Sequence, residues 1–360
     1  MSPNNCHPPL TGHVVNEDAS PRNSGIFKIR PLSQIPLTFR DLTSELIIDG
    51  LKNAQFPIHT LDESMIAPRR TLQGLPGDDP ILPVFLVQLN FITGGIILTG
   101  TAFTDEELEL RNTDRRKIIS IGDGPISNEQ KVQSAPPAQA ADCGWADFTF
   151  PASALATLKD AASQAKSLPS ATSPTFQTVM RARAHRIEPN AVCLVARPMN
   201  ARALFGIPPA YMGTAQNMTY TRMSVQQLAG PISNVATSLL AALDLIDLKK
   251  QTAALAAVFT RSPDKSSISM TAAVDWTRDI ILSSWAKFNY YICDFGFRLG
   301  LPIAVRRPHF TPVEGLMYIL PQTPRGDLTV VLCLRDEDIK HLLVDPELIK
   351  FTQPPHLAEF

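Results

Sequence analysis

Asn289-Tyr290-Tyr291-Ile292-Cys293-Asp294-Phe295-Gly296-Phe297-Arg298-Leu299-Gly300, running into Pro302-Ile303-Ala304-Val305-Arg306, decides the reading of this chain. Asp-Phe-Gly also occurs in protein kinases, but a kinase needs a Gly-rich phosphate loop, a strand lysine and a His-Arg-Asp loop. None of these is in the sequence. Gly-x-Ser-x-Gly, His-Glu-x-x-His and Gly-x-x-x-x-Gly-Lys-Ser/Thr are absent as well. Gly122-Asp123-Gly124 lacks the third glycine and the preceding strand of a dinucleotide site.

Working outward, the clearest local structure is a hairpin. Two β-rich runs, 83–92 and 96–99, flank Thr93-Gly94-Gly95. Gly25 to Arg30 alternates like a short strand, and strands are also expected over 268–274, 302–305, 316–320 and 328–334. Ser153 is read as the cap of a helix reaching Lys166. Ser224 is read as opening another, whose Leu228, Ile232, Val235, Leu239 and Leu243 recur at helical spacing. A closing helix is expected from Asp336 to Val344. Residues 122–144, rich in Gly, Pro, Ala and Gln, read as a loose linker. Strands and helices alternate without strict βαβ order, so the fold class is a layered α/β or α+β arrangement.

The 360 residues suffice for two domains. Hydrophobic content of 44% and charged content of 19% are those of a soluble globular protein. A formal net charge of −1 gives no long-range attraction to nucleic acid or an anionic membrane. The five cysteines are scattered and form no Cys-x-x-Cys, which fits reduced thiols in the cytoplasm better than disulfides or a metal site. No basic-then-apolar leader opens the sequence. Its most apolar long segment, 239–259, is interrupted by Asp244, Asp247, Lys249 and Lys250.

Several segments together resemble one family, in order. They are Pro9-Leu10 with Gly12-His13-Val14-Val15, the hairpin through Gly100, and Arg202 with Pro208-Pro209, Tyr211 and Gly213. Ser283-Ser284-Trp285 ahead of Asp294-Phe295-Gly296-Phe297 follows, then Tyr318 to Pro321 and Val330 to Leu334. The chain is thereby similar to the BAHD acyl-CoA-dependent acyltransferases, in their fungal trichothecene 3-O-acetyltransferase-like branch. The resemblance implies α/β architecture in two chloramphenicol acetyltransferase-like lobes. The first, incomplete, spans 1–195, a crossover spans 196–225, and the lobe carrying the signature spans 226–360. It implies acyl transfer from acyl-CoA to a hydroxyl of a small secondary metabolite, by a cytoplasmic monomer with no tightly bound cofactor and no metal. Asp294, Phe295 and Gly296 carry over as the structural signature, with Arg306 or Arg298 as the partner of Asp294. Ser283, Ser284 and Trp285 carry over as coenzyme A contacts.

The same resemblance exposes a gap. The family's general base is the histidine of a His-x-x-x-Asp-Gly block, which belongs directly after the hairpin. Here Gly100 runs into Thr101-Ala102-Phe103-Thr104-Asp105-Glu106-Glu107-Leu108. No residue is therefore assigned as catalytic. His13 and His59 read as loop residues, His309 as a surface residue, and His185, among Arg181, Arg183 and Arg186, as part of an exposed helix face. An alternative to the enzyme is thus an inactive remnant, with apolar surface left exposed where family segments are missing.

Overall fold

The computed structural model describes residues 12–15, 28–32, 34, 36–71, 82–83, 85–102, 142–162, 172–209, 211, 215–262, 268, 270–271, 274–353 and 356–357. The linker expected over 122–144 lies outside them as far as residue 141. The strands are β1 (Gly12–Val15), β2 (Lys28–Pro31), β3 (Leu37–Asp41), β4 (Leu82–Pro83), β5 (Phe85–Ile92), β6 (Gly95–Ala102) and β7 (Cys143–Phe150). They continue as β8 (Val192–Asn200), β9 (Gln216–Ser224), β10 (Ile280–Ser284), β11 (Leu316–Ile319), β12 (Leu328–Arg335) and β13 (His356–Leu357). The helices are α1 (Ile48–Asn53), α2 (Glu63–Ile66), α3 (Ala152–Ala162), α4 (Thr172–Ala182) and α5 (Val225–Leu228). After them come α6 (Ile232–Ala241), α7 (Leu245–Arg261), α8 (Asp336–Leu343) and α9 (Pro346–Phe351).

A seven-stranded mixed sheet in the order β13-β7-β12-β11-β10-β8-β9 organises the molecule, beside two three-stranded sheets, β2-β1-β4 and β3-β5-β6. Within the large sheet β8, β10 and β11 run parallel and the remaining neighbours antiparallel, and in the small sheets only β3 and β5 are parallel. The large sheet takes β7 from the first segment, β8 and β9 across the crossover, and the rest from the last. Its strands alternate between two apolar faces, as a period of two requires. Phe148, Val195, Leu282, Met317 and Leu332 pack on one face, under α3, α4, α6 and α8. Trp145, Leu194, Ile281, Tyr318 and Val331 pack on the other, where Ile58 from the N-terminal segment and Leu255 of α7 cover them. Burial on both faces explains why β12 reads as a nearly unbroken apolar run rather than as an alternating one.

The hairpin forms as expected, with Ile92 opposite Gly95. Gly94 adopts φ +86°, and a Cβ there would lie 2.6 Å from the Ile48 side chain, so the turn requires glycine. Other boundaries shift. The helix opened by Ser224 is three helices. Ser224 and Gln227 form a capping box on α5, Pro231 cannot continue the helical ladder, and Asp244 recaps α7 through the Ile246 and Asp247 amides. Ser153 is not the cap of α3, because Asp327 reaches across to accept from the Ala152 amide at 3.1 Å. The closing helix forms over Asp336–Leu343 as expected, and Asp345 caps the further helix α9. Pro302 to Val305 belongs to no strand, and among the described residues of 268–274 Met270 and Thr271 form a turn.

The Arg-rich stretch after α4 is not an exposed face. Arg183 is fully buried and donates to the carbonyls of Arg278 and Asp279 at 3.0 and 3.1 Å. It lies 3.5 Å from the Asp338 carboxylate and 3.6 Å from that of Glu314. Arg186 holds Asp338 with the Nε–Nη2 edge of its guanidinium, at 2.9 and 2.6 Å, and reaches Glu314 from Nη2 at 2.8 Å. Arg335 pairs with Glu314 at 3.1 Å, and Arg181 with Asp345 at 2.8 Å. Burial pulls the Arg183 pKa down. At Arg186 burial also acts downward, but hydrogen bonds and the charges of Asp338 and Glu314 outweigh it and raise the pKa.

Removing one member leaves uncompensated charge in the interior. Asp338→Asn is expected to destabilise the chain by about 3 kcal/mol in urea unfolding. A double-mutant cycle with Arg186→Met should show coupling above about 1 kcal/mol, and additive effects would contradict the network.

Burial, with Asp279 nearby, also pushes the Cys193 thiol on β8 up to about 11. The folded chain therefore keeps a proton that the unfolded chain releases. Stability is full below the ordinary thiol pKa and falls as pH rises toward 11, by on the order of 2 kcal/mol. In urea titrations from about pH 8 to about pH 11, Cys193→Ala should remove this alkaline component. Parallel profiles for the two chains would refute it.

Candidate active site

The N-terminal segment docks on the second face of the large sheet through residues 306–310. Asp62 and His309 form a parallel bridge, with Glu63 N donating to His309 O at 2.9 Å and His309 N to Leu61 O at 2.7 Å. Arg306 clamps the join by donating to the carbonyls of Phe56 and Gln55, each at 3.0 Å, while its guanidinium lies over the Phe56 ring. Gln55 and Phe56 are held at φ +60° and +56°, a costly conformation for such residues. The resulting turn aims both carbonyls at the arginine.

This arrangement corrects the expected partner of Asp294. Arg306 faces the N-terminal segment, and Asp294 instead accepts from the Gly296 amide at 2.8 Å in a local turn. Among the described residues Asp294 makes no ion pair with Arg306 or Arg298. The signature loop stands open: Phe288, Ile292, Phe295, Phe297, Leu299, Leu301 and Ile303 are all exposed. On the small sheet, Phe39 and Phe91 stack with exposed rings. Arg298 holds a left-handed backbone, at φ +58°, that glycine adopts without cost.

The residues assigned to coenzyme A divide by strand alternation. Ser283 is buried opposite Tyr318, Ser284 is exposed, and Trp285 sits half-buried against the second face, 5.7 Å from the Tyr318 ring. Beside Trp285, the Arg307 guanidinium lies over three rings: Tyr318 at 4.4 Å, Phe310 at 4.8 Å and Trp285 at 5.6 Å. Sequence reading passed over Arg307, because a cation flanked by a second arginine and a proline carries no local signal of ring contacts. Arg202, in the segment with Pro208-Pro209, clasps the Tyr211 carbonyl at 3.0 Å and so ties that loop to the end of β8.

One His-x-x-x-Asp spacing does occur, at His341-Leu342-Leu343-Val344-Asp345, and the sequence analysis overlooked it. His341 ends α8, stacked 4.4 Å from the His185 ring, while Asp345 caps α9 and pairs with Arg181. Its two halves serve different helices on the first face of the sheet, away from the join, so this spacing builds no catalytic loop. His185, Glu337 and Asp338 also bring ligand atoms within 4.8 Å of one another. Asp338 is already engaged by Arg183 and Arg186, whose positive charge opposes a metal ion there. His309 lies 3.9 Å from Asp62, beyond hydrogen-bond reach.

Comparison with known proteins bears on this frame. The family profile described as trichothecene 3-O-acetyltransferase-like N-terminal domain matches residues 4–104. The trichothecene 3-O-acetyltransferase TRI101 of Fusarium sporotrichioides is 36% identical over 394 residues, covering 96% of this chain and 86% of the relative. The chain belongs to the trichothecene 3-O-acetyltransferase-like family. The O-acetyltransferase dmxR13 of Cryptosporiopsis sp. is 34% identical over 96% of this chain and 86% of its own length. The crystal structure of F. graminearum TRI101 complexed with coenzyme A and deoxynivalenol matches with a TM-score of 0.84 at 32% identity, over 96% of this chain and 88% of that one. The two-lobe α/β fold of the family is thus the fold of this chain. The 394-residue alignment exceeds this chain's 360 residues, so the relative carries segments with no counterpart here.

Relief of the strain at Arg298 is measurable. Arg298→Gly should raise stability by roughly 0.5–1 kcal/mol, the left-handed penalty less glycine's entropy cost. A lowered urea midpoint would show that the Arg298 side chain contributes more than its backbone costs.

Proposed function

We propose that this chain is an acyl-CoA-dependent O-acyltransferase, moving an acyl group from coenzyme A to a hydroxyl of a small secondary metabolite. The likeness over 96% of the chain to a relative crystallised with coenzyme A and a trichothecene supports this reading most directly. Ser283, Ser284 and Trp285 at the end of β10 are proposed to meet the acyl donor, and no tightly bound cofactor is needed. In this reading the chain works as a cytoplasmic monomer, divided into lobes about the 196–225 crossover. Among the described residues no helix is long and apolar enough to cross a membrane.

A second reading is favoured by one observation: no His-x-x-x-Asp-Gly follows the hairpin. In that reading the chain binds donor and acceptor without turnover. A general base contributes typically 10²–10⁴-fold in rate, so its loss separates the two readings cleanly.

Incubation of the purified chain with acetyl-CoA and trichothecene alcohols, followed by mass spectrometry of the ester, decides between them. Ester formation well above a protein-free blank supports the enzyme. Calorimetric binding of coenzyme A without ester supports the second reading. Absence of both would overturn each.

A further inference from the structure

Arg306 and Arg307 are consecutive, yet their guanidinium groups are used differently. Arg306 is hydrogen-bonded to three carbonyls, those of Gln55, Phe56 and Val305. Arg307 donates no hydrogen bond and lies near no carboxylate among the described residues, and its Nε is buried without an acceptor. Interior donors are nearly always satisfied, and a guanidinium has five N–H groups to place. Contact with the faces of Trp285, Phe310 and Tyr318 fixes the plane of the group and preserves its charge, but it supplies no acceptor. Trp145, whose indole donates to the Phe310 carbonyl at 2.8 Å, backs the same cluster. The cation is therefore positioned by ring contacts, and its buried Nε has no acceptor among the described residues.

Its place in the fold narrows what could use that capacity. Arg307 sits on the segment that joins the N-terminal part to the large sheet, between the Arg306 clamp and the His309 bridge. Its ring contacts lead to Trp285 at the end of β10. A planar, permanently charged fork matches two oxygens of a phosphate better than it matches a neutral acceptor. We propose that Arg307 anchors a phosphate group of coenzyme A beside Trp285, an assignment that rests on the acyl-CoA reading above. Restraint by three rings lowers the entropy lost when the phosphate docks.

The test measures binding of coenzyme A, adenosine 3′,5′-bisphosphate and pantetheine to the full chain by calorimetry, with quenching of tryptophan fluorescence as a second readout. In the wild-type chain coenzyme A should bind at least about tenfold more tightly than pantetheine, which lacks the phosphates. Arg307→Met should weaken coenzyme A and the bisphosphate by about tenfold or more and leave pantetheine unchanged, while Arg307→Lys should fall between. Thermal melts establish that the variants fold, and the wild-type comparison stands even where one does not. Equal affinity of wild type for coenzyme A and pantetheine overturns the assignment while leaving the acyl-CoA reading intact. So does an equal loss for all three ligands in the methionine variant. No binding of coenzyme A by the wild-type chain overturns the acyl-CoA reading and this assignment with it.

Discussion

Arg183 and Arg186 after α4, Glu314 before β11 and Asp338 in α8 bring two cations and two anions together within the interior of one sheet layer. Moving such charges out of water costs several kcal/mol per ion, so they must be close and well paired to coexist there. That requirement fixes much of the second half of the chain. It sets where α8 lies against α4 and holds the turn carrying Arg278 and Asp279. Asp279 extends the constraint to β8 by accepting from the Leu194 amide at 2.8 Å. Burial raises the Asp279 pKa, while the hydrogen bonds it accepts act in the opposite direction. An apolar core would pack with more freedom; these charges permit one arrangement.

From that fixed sheet the site follows by alternation. One face is closed by helices, and the other receives the N-terminal segment, so the side chains at the end of β10 and the middle of β11 point toward the join. Trp285, Tyr318, Arg306 and Arg307 meet there because β10 and β11 are parallel and in register, Ser283 opposite Tyr318. Two consecutive arginines then divide the work: one fastens the join, and the other lies against three rings with no hydrogen-bond acceptor among the described residues.

The sequence made the hairpin, β11, β12 and the signature loop legible, because each rests on local turn chemistry or an uninterrupted apolar run. Gly94 is required by its own φ and by contact with Ile48, and a glycine pair in a β-rich run signals that directly. The broken helices were less legible. Leu228, Ile232, Val235 and Leu239 keep helical spacing across a proline that ends one helix and starts the next. The cap on α3 could not be read at all, since Asp327 lies 175 residues away from the amide it satisfies. The same limit applied to the arginines: 181, 183 and 186 look like a solvated face until Asp338 and Glu314 arrive from the other end of the chain. The resemblance to a family located Ser283-Ser284-Trp285, but strand alternation separates Ser284 from its two neighbours. It also suggested Arg306 for Asp294, and two strained residues, Gln55 and Phe56, capture that arginine instead.

Because no His-x-x-x-Asp-Gly follows the hairpin, the two proposed readings turn on one question, what an acyltransferase keeps if its general base is lost. Catalysis by acyl transfer rests partly on proton abstraction, about 10²–10⁴-fold, and partly on holding thioester and hydroxyl in contact, where effective molarities are larger still. The second contribution needs only a donor site, an acceptor site and a rigid join between them. In this chain the join is the best-determined part of the site: a backbone bridge, an arginine clamp and a stacked aromatic cluster. The exposed apolar loop lies outside those contacts, so its openness need not loosen them. Loss of the base would therefore be felt in turnover before it is felt in binding. For the same reason, coenzyme A affinity can survive where ester formation does not.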